Sequence, residues 1–220
     1  MYNVAIDGPA GAGKSTIAKK IAKEMGYIYV DTGAMYRAMA LACIRADVNI
    51  NDEVAVVEIC SGINVSIVYE NDVQIVMLNG ENVNEFIRAE EVGNTASTIS
   101  VYKDVRLKLL ELQRTLAKEN NVIMDGRDIG TYVLPDAFVK IYLTASSKTR
   151  AERRYLELKE RGIESNIDEI EKDIIERDYR DMNREIAPLS QAEDAVLVDS
   201  SNMGINEVVD NIIAIIEERK

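Results

Sequence analysis

The stretch "GPAGAGKST", residues 8 to 16, places Gly8, four further residues, then Gly13, Lys14 and Ser15 directly behind the apolar run "VAID". Glycines at this spacing let successive amides turn inward around an anion. Lys14 adds a full positive charge, and the Ser15 hydroxyl is a ligand for Mg²⁺. The chemistry that fits is capture of a nucleotide's phosphates, with Gly8, Pro9, Ala10, Gly11, Ala12, Gly13, Lys14, Ser15 and Thr16 as the cradle. Such a cradle needs a buried strand before it and a helix behind it. "YNVAID" reads as the strand, and "KSTIAKKIAKEMG" as an amphipathic helix closed by Gly26.

Two further stretches carry chemistry. "NVIMDGRDIGT" ends an apolar run in Asp125, the pattern of a carboxylate that steadies the hydration shell of Mg²⁺. Asp7, Asp31 and Asp199 also fall at ends of apolar runs, where ligands gather in open α/β sheets, although Asp31 or Thr32 could equally cap the following helix. Seven of the fourteen arginines lie between Arg150 and Arg184. "RAERRYLELKERG" holds Arg150, Arg153, Arg154 and Arg161, and "RDYRDMNR" sets Arg177, Arg180, Asp181 and Arg184 at helical offsets that predict a single face. The chain as a whole is acidic, with 26 basic and 38 acidic residues and a net charge of −12. A local cationic region in such a chain points to a small anionic ligand rather than nucleic acid or an anionic membrane. With no histidine, Ser-His-Asp and Cys-His catalysis are excluded. Chemistry must then run on Lys, Arg, Asp and a bound cation.

The elements that position these residues follow from apolar patterning. "YNVAID", "YIYVD", "NVIMD", "FVKIYLT" and "AVLVDS" alternate with helical patterns, which predicts an α/β fold with a parallel sheet covered on both faces. Residues 64–83, "NVSIVYENDVQIVMLNGENV", break that rhythm. They predict two antiparallel strands joined at Asn71-Asp72, with a second turn at Asn79-Gly80, inserted beside the core to close over a substrate. Beyond them, Val101, Val105, Leu109, Leu112 and Leu116 recur at helical spacing, leaving Arg106 one residue off the stripe and free to reach a cleft. At 220 residues the chain holds one substantial core, and no apolar run is long enough to span a bilayer. Met1 is followed almost at once by a strand, and Cys43 and Cys60 lie outside any metal or redox spacing, so reduced thiols and a cytoplasmic location are expected.

"GPAGAGKST", "VDTGAMYR", "GRDIGT" and "RDYRDMNR" followed by "APL", in this order, resemble the bacterial cytidylate kinase family over essentially the whole chain. The resemblance implies a P-loop NTPase-type five-stranded parallel sheet with helices on both faces. It also implies a small antiparallel monophosphate-binding insertion at about residues 63–89 and a helical lid at about 146–165. The remaining residues, 1–62, 90–145 and 166–220, would form the core of a single domain. The implied activity is Mg²⁺-dependent transfer of the γ-phosphoryl group of ATP to CMP and dCMP, in pyrimidine metabolism, by a monomer. By the same resemblance, Thr32, Arg106 and Asp128 meet the cytosine ring and Ser97 lies in that pocket. Arg37, Arg127 and Arg184 hold the monophosphate, and Asp181 the ribose. Lys14, Arg127, Arg154 and Arg184 carry catalysis, and Ser15 and Asp125 the metal. The chemistry agrees: the exocyclic amine of cytosine wants an acceptor such as Asp128, and phosphoryl transfer needs no covalent nucleophile. A kinase of another small acceptor leaves "GRDIGT" and the hairpin without a purpose. A regulatory GTPase lacks its guanine-reading element, since no Asn-Lys dipeptide occurs. A nucleotide-binding module without turnover would have little use for Lys14 and the dense arginines.

Overall fold

The structure is a computed structural model that describes residues 1–71 and 73–220. Asp72, half of the expected Asn71-Asp72 turn, lies outside the described residues. In chain order the elements are β1 (Val4–Asp7), α1 (Lys14–Met25), β2 (Ile28–Asp31), α2 (Thr32–Arg45), α3 (Glu53–Gly62), β3 (Val65–Glu70), β4 (Val73–Leu78), β5 (Glu81–Asn82), α4 (Glu90–Ile99), α5 (Lys103–Glu119), β6 (Val122–Gly126), β7 (Val139–Thr144), α6 (Ser147–Glu160), α7 (Ile167–Asn183), β8 (Val196–Asp199) and α8 (Ile205–Glu218). All five apolar runs read as sheet strands are strands. They form a five-stranded sheet of order β2-β6-β1-β7-β8, and a second sheet has the order β3-β4-β5. Among the described residues no helix is long and apolar enough to cross a membrane.

The chain divides into two compact units, Met1 with Ile28–Val122, and Tyr2–Tyr27 with Ile123–Lys220. In the second, β1 pairs in parallel with β6 and β7, and β7 with β8. Every side chain of β1 is buried, as an apolar strand covered on both faces requires. This register sets Asp7 opposite Gly126 and Ile6 opposite Asp125, so the carboxyl ends of β1 and β6 deliver their acidic residues side by side. Gly8 makes the exit from β1 possible: at φ 148° a Cβ would lie 1.9 Å from the Leu143 carbonyl oxygen. α1 then begins behind Gly13 and stops at Gly26, whose left-handed backbone (φ 68°) lets its N–H return to the Ala22 carbonyl.

In the first unit, α2 is apolar nearly all round and packs against α3, α4 and β4. Asp31 caps it, its Oδ1 accepting from the Ala34 N–H at 2.9 Å. The hairpin at 64–83 is present and gains a third, two-residue strand, β5. Asn79 and Gly80, at φ 50° and 85°, form the tight turn that requires positive φ at both central residues. Gln74 clasps the end of β2, accepting from the Asp31 N–H at 2.8 Å and donating to its carbonyl at 3.3 Å, while the Tyr69 hydroxyl donates to the Tyr29 carbonyl.

One helical expectation is corrected. The stripe from Val101 to Leu116 does not lie on one helix, because Ser100, Val101 and Tyr102 separate α4 from α5, and Val101 is exposed. The buried face of α5 is Val105, Arg106, Leu109, Gln113 and Ala117. Arg106 is therefore on the core face. Its Nη1 donates to the Ser100 carbonyl at 3.1 Å, and its guanidinium lies 5.5 Å from the centre of the Tyr36 ring, contacts that make burial of the charge tolerable.

Candidate active site

In the second unit, the loop between β1 and α1 has Gly8, Pro9, Ala10 and Ala12 buried, Gly13 and Ser15 half-buried, and Gly11 and Thr16 exposed. Lys14 is buried and folds back over the loop, its Nζ donating to the Gly8 and Pro9 carbonyls at 2.7 Å each. Burial, followed by the nearby charge of Arg127, brings its ammonium down to about 7. Ser15 Oγ donates to Asp125 Oδ2 at 2.9 Å, so the expected hydroxyl and carboxylate pair is brought together.

Beyond β6, Arg127 Nε donates to Asp181 Oδ2 at 2.8 Å, and Arg184 Nη2 to Asp128 Oδ1 at 3.1 Å. Asp128, Asp181 and Arg184 are buried. Burial acts to raise Asp181, but the charge of Arg127, its hydrogen bond and the charges of Arg177 and Arg184 hold the carboxyl below its usual range. The expectation that "RDYRDMNR" lines one face is corrected. Asp178 and Asp181 face inward on α7, Arg180 is exposed, and Arg184 stands past the helix end in extended backbone, its Nε donating to the Ala187 carbonyl at 2.6 Å.

Asp7 and Arg150 carry contacts that the sequence does not foretell, and the buried Asp178 was missed. Arg150, on α6, donates to the Ala145 and Ala10 carbonyls at 2.9 Å each and pairs with Asp178 at 2.6 Å, while Asp178 accepts from the Ala10 N–H. Asp7 accepts from the Ile129 and Gly130 N–H groups at 2.7 Å each. The signal for Asp7 was its place at a strand end. For Arg150 and Asp178 there was only membership of an arginine-rich run. Arg154, expected among the catalytic residues, pairs with Glu157 one turn on and is partly exposed.

In the first unit, Thr32 is the buried first residue of α2. Arg37 lies against α4, with its guanidinium 3.8 Å from the place a Cβ on Gly93 would take. Ser97 follows one turn further along α4 and keeps its Oγ buried without a hydrogen-bond partner among the described residues. Arg106 is the buried residue described above.

Asp7 also governs a pH response. Burial pushes its carboxyl up to about 6 from an unfolded value of 3.8, the two amides pulling the other way. A folded-state value above the unfolded one means that the folded chain takes up the proton first. Stability from this group therefore rises as pH falls through about 6 toward 4. The stability of the wild-type protein relative to Asp7→Asn is expected to increase by about 1 kcal/mol between pH 7 and pH 5. Urea unfolding of both proteins without nucleotide at the two pH values measures this, and a constant gap or the opposite trend contradicts it.

A phosphate loop opening a helix from the central strand of a parallel sheet, with its hydroxyl on the carboxylate of the next strand, defines a P-loop phosphotransferase. Solved structures share the fold at low identity. A gluconokinase from Sinorhizobium meliloti 1021 aligns with TM-score 0.51 and 14% identity over 99% of this chain and 92% of that one. An uncharacterized protein from Eubacterium ventriosum ATCC 27560 aligns with TM-score 0.54 and 13% identity over 99% of both. The family model described as Cytidylate kinase matches residues 4–218. The cytidylate kinase of Caldicellulosiruptor saccharolyticus is 50% identical over 211 residues, 96% of this chain and 93% of that protein, and the one from Alkaliphilus metalliredigens is 48% identical over 212 residues, 96% and 94% respectively. The chain belongs to the cytidylate kinase family and is a kinase.

Proposed function

We propose that this chain transfers the γ-phosphoryl group of Mg²⁺-bound ATP to CMP and dCMP, giving CDP and dCDP. The observation that carries the choice of acceptor is the buried Asp128 carboxylate, held by Arg184 right after Arg127. Such a carboxylate accepts from the exocyclic amine of cytosine and repels the carbonyl that uracil presents there. In this reading Thr32, Ser97 and Arg106 share recognition of the base, Arg37, Arg127 and Arg184 neutralise the monophosphate, and Asp181 takes the ribose. Residues 8–16 hold the triphosphate, with Lys14 on the β and γ phosphates. Arg154 turns inward from Glu157 when both substrates are bound.

The Ser15 hydroxyl and the Asp125 carboxylate are hard oxygen donors at hydrogen-bond distance, and they fit Mg²⁺, which keeps several waters and takes its remaining ligands from substrate phosphates. When bound, the ion offsets the charge that builds on the phosphate oxygens. The chain's own residues align two anions and exclude water. No protein nucleophile takes part. The monophosphate-binding insertion and the helical lid at 146–165 cover the substrates of one kinase domain, which works as a monomer in the cytoplasm. Two unlinked thiols, Cys43 and Cys60, with sulfurs 3.8 Å apart, suit a reducing compartment.

Asp128→Asn tests the base reading. The amide can turn a donor toward uracil, so the preference in kcat/KM for CMP over UMP should shrink by roughly 1 to 3 kcal/mol, with the KM for ATP unchanged. An unchanged CMP to UMP ratio in steady-state assays would remove Asp128 from base recognition.

A further inference from the structure

A carboxylate almost without solvent exposure is costly unless its oxygens are used, and the use made of Asp7 is specific. Its Oδ1 accepts from the Ile129 N–H and its Oδ2 from the Gly130 N–H, both at 2.7 Å. These are the first two amides after Asp128. The Asp128 carbonyl in turn accepts from the Tyr132 and Val133 amides at 2.9 and 3.1 Å, closing the π-helical turn Ile129–Val133. Asp128 is thus fixed in backbone on its C-terminal side, at φ −143° and ψ 26°, while Arg184 fixes its side chain. The Lys140 stem also crowds the loop, since a Cβ on Gly130 would lie 3.1 Å from it and 3.4 Å from Asp7 Oδ2. The charges around Asp7 are Lys14 and Asp128.

We propose that Asp7 is a positioning residue for acceptor selectivity: by seating two successive amides it fixes the loop that carries Arg127 and Asp128, without itself meeting either nucleotide. Only a carboxylate has an acceptor on each of two oxygens. Asparagine would keep one bond and turn an N–H₂ donor against the other amide. The inference rests on the reading that Asp128 selects cytosine, and it extends that reading to a residue on β1.

The test compares Asp7→Asn with the wild-type chain. The KM for CMP should rise roughly 10- to 100-fold, as expected when a hydrogen bond to a charged group is lost, with the KM for ATP within about twofold. The preference for CMP over UMP should fall by a similar factor, and the Ile129 and Gly130 amide protons should exchange faster than in the wild-type chain. A residue that only stabilises the fold would lower the unfolding midpoint and leave the two KM values and the CMP to UMP ratio alone. That result overturns the proposal, as does an equal rise in both KM values, which would place the effect in the phosphate loop. A wild-type chain without a CMP preference would instead remove the Asp128 reading, and the proposal with it. Should Asp7→Asn fail to fold, Gly130→Ala keeps the carboxylate and displaces the same loop from the Lys140 side. It should lose the same selectivity, and unchanged selectivity in a folded Gly130→Ala overturns the proposal.

Discussion

Lys14→Ala should lower kcat for phosphoryl transfer roughly 100- to 1,000-fold, the effect of losing about 3 to 4 kcal/mol of charge stabilisation at a transferring group, while the protein stays folded. The ammonium is buried, and in the protein without nucleotide it donates to the Gly8 and Pro9 carbonyls. Burial pushes it below the usual lysine range, toward about 7, so the ammonium form is favoured at this site by an anionic partner. In the proposed reaction, triphosphate oxygens are the partner that holds its charge. Removing the side chain takes away this compensation in the transition state, but it also removes a desolvated cation from the free protein, so stability should hold or rise slightly. Single-turnover kinetics and urea unfolding on one preparation separate the two effects. Activity within tenfold of wild type in a folded Lys14→Ala protein contradicts the role given to Lys14.

Arg150→Met should cost about 3 to 5 kcal/mol of stability, the usual result of leaving one member of a buried ion pair alone. The Arg150 and Asp178 side chains are 7% and 11% exposed and 2.6 Å apart, and between them they hold the N–H and the carbonyl of Ala10. Without the guanidinium, the buried Asp178 carboxylate loses its direct ion-pair partner and keeps the Ala10 N–H as a hydrogen-bond donor. For a chain of 220 residues this corresponds to roughly 6 to 20 °C in Tm. Adding Asp178→Leu should recover part of the loss, since the uncompensated charge is gone. The Ala10 amide and carbonyl remain without their partners, so recovery should be incomplete. Thermal unfolding of the single and double variants decides this. A single variant within 1 kcal/mol of wild type would show that water reaches the pair.

The features legible in the sequence were those whose signal is local. The phosphate loop is a matter of spacing, the five sheet strands are continuous apolar runs, and Asn79-Gly80 announces its turn because few residue pairs tolerate its backbone. β5 was missed because Glu81 and Asn82 are polar and pair only through backbone. The break between α4 and α5 was hidden by an apolar period that runs through Val101 without interruption. The true buried face of α5 includes Arg106 and Gln113, which a count of apolar residues cannot place in a core. The same blindness applies to Arg150, Asp178 and Asp7. Each is buried because partners distant in sequence satisfy it, at Ala10, Ile129 and Gly130, and hydropathy carries no trace of such pairing. Arg184 shows the complementary error, since equal spacing predicts a common face only while the helix continues, and α7 ends at Asn183.

The most direct measurement is the rate of ADP release from Mg²⁺-ATP with CMP, dCMP, UMP, AMP and GMP supplied in turn as acceptor. With Asp128 and Arg184 paired as they are, CMP and dCMP should give the highest kcat/KM, at least about tenfold above UMP and further above the two purine nucleotides. Equal or faster turnover of UMP, AMP or GMP, or ADP release that does not depend on the acceptor, would contradict a cytidine monophosphate kinase.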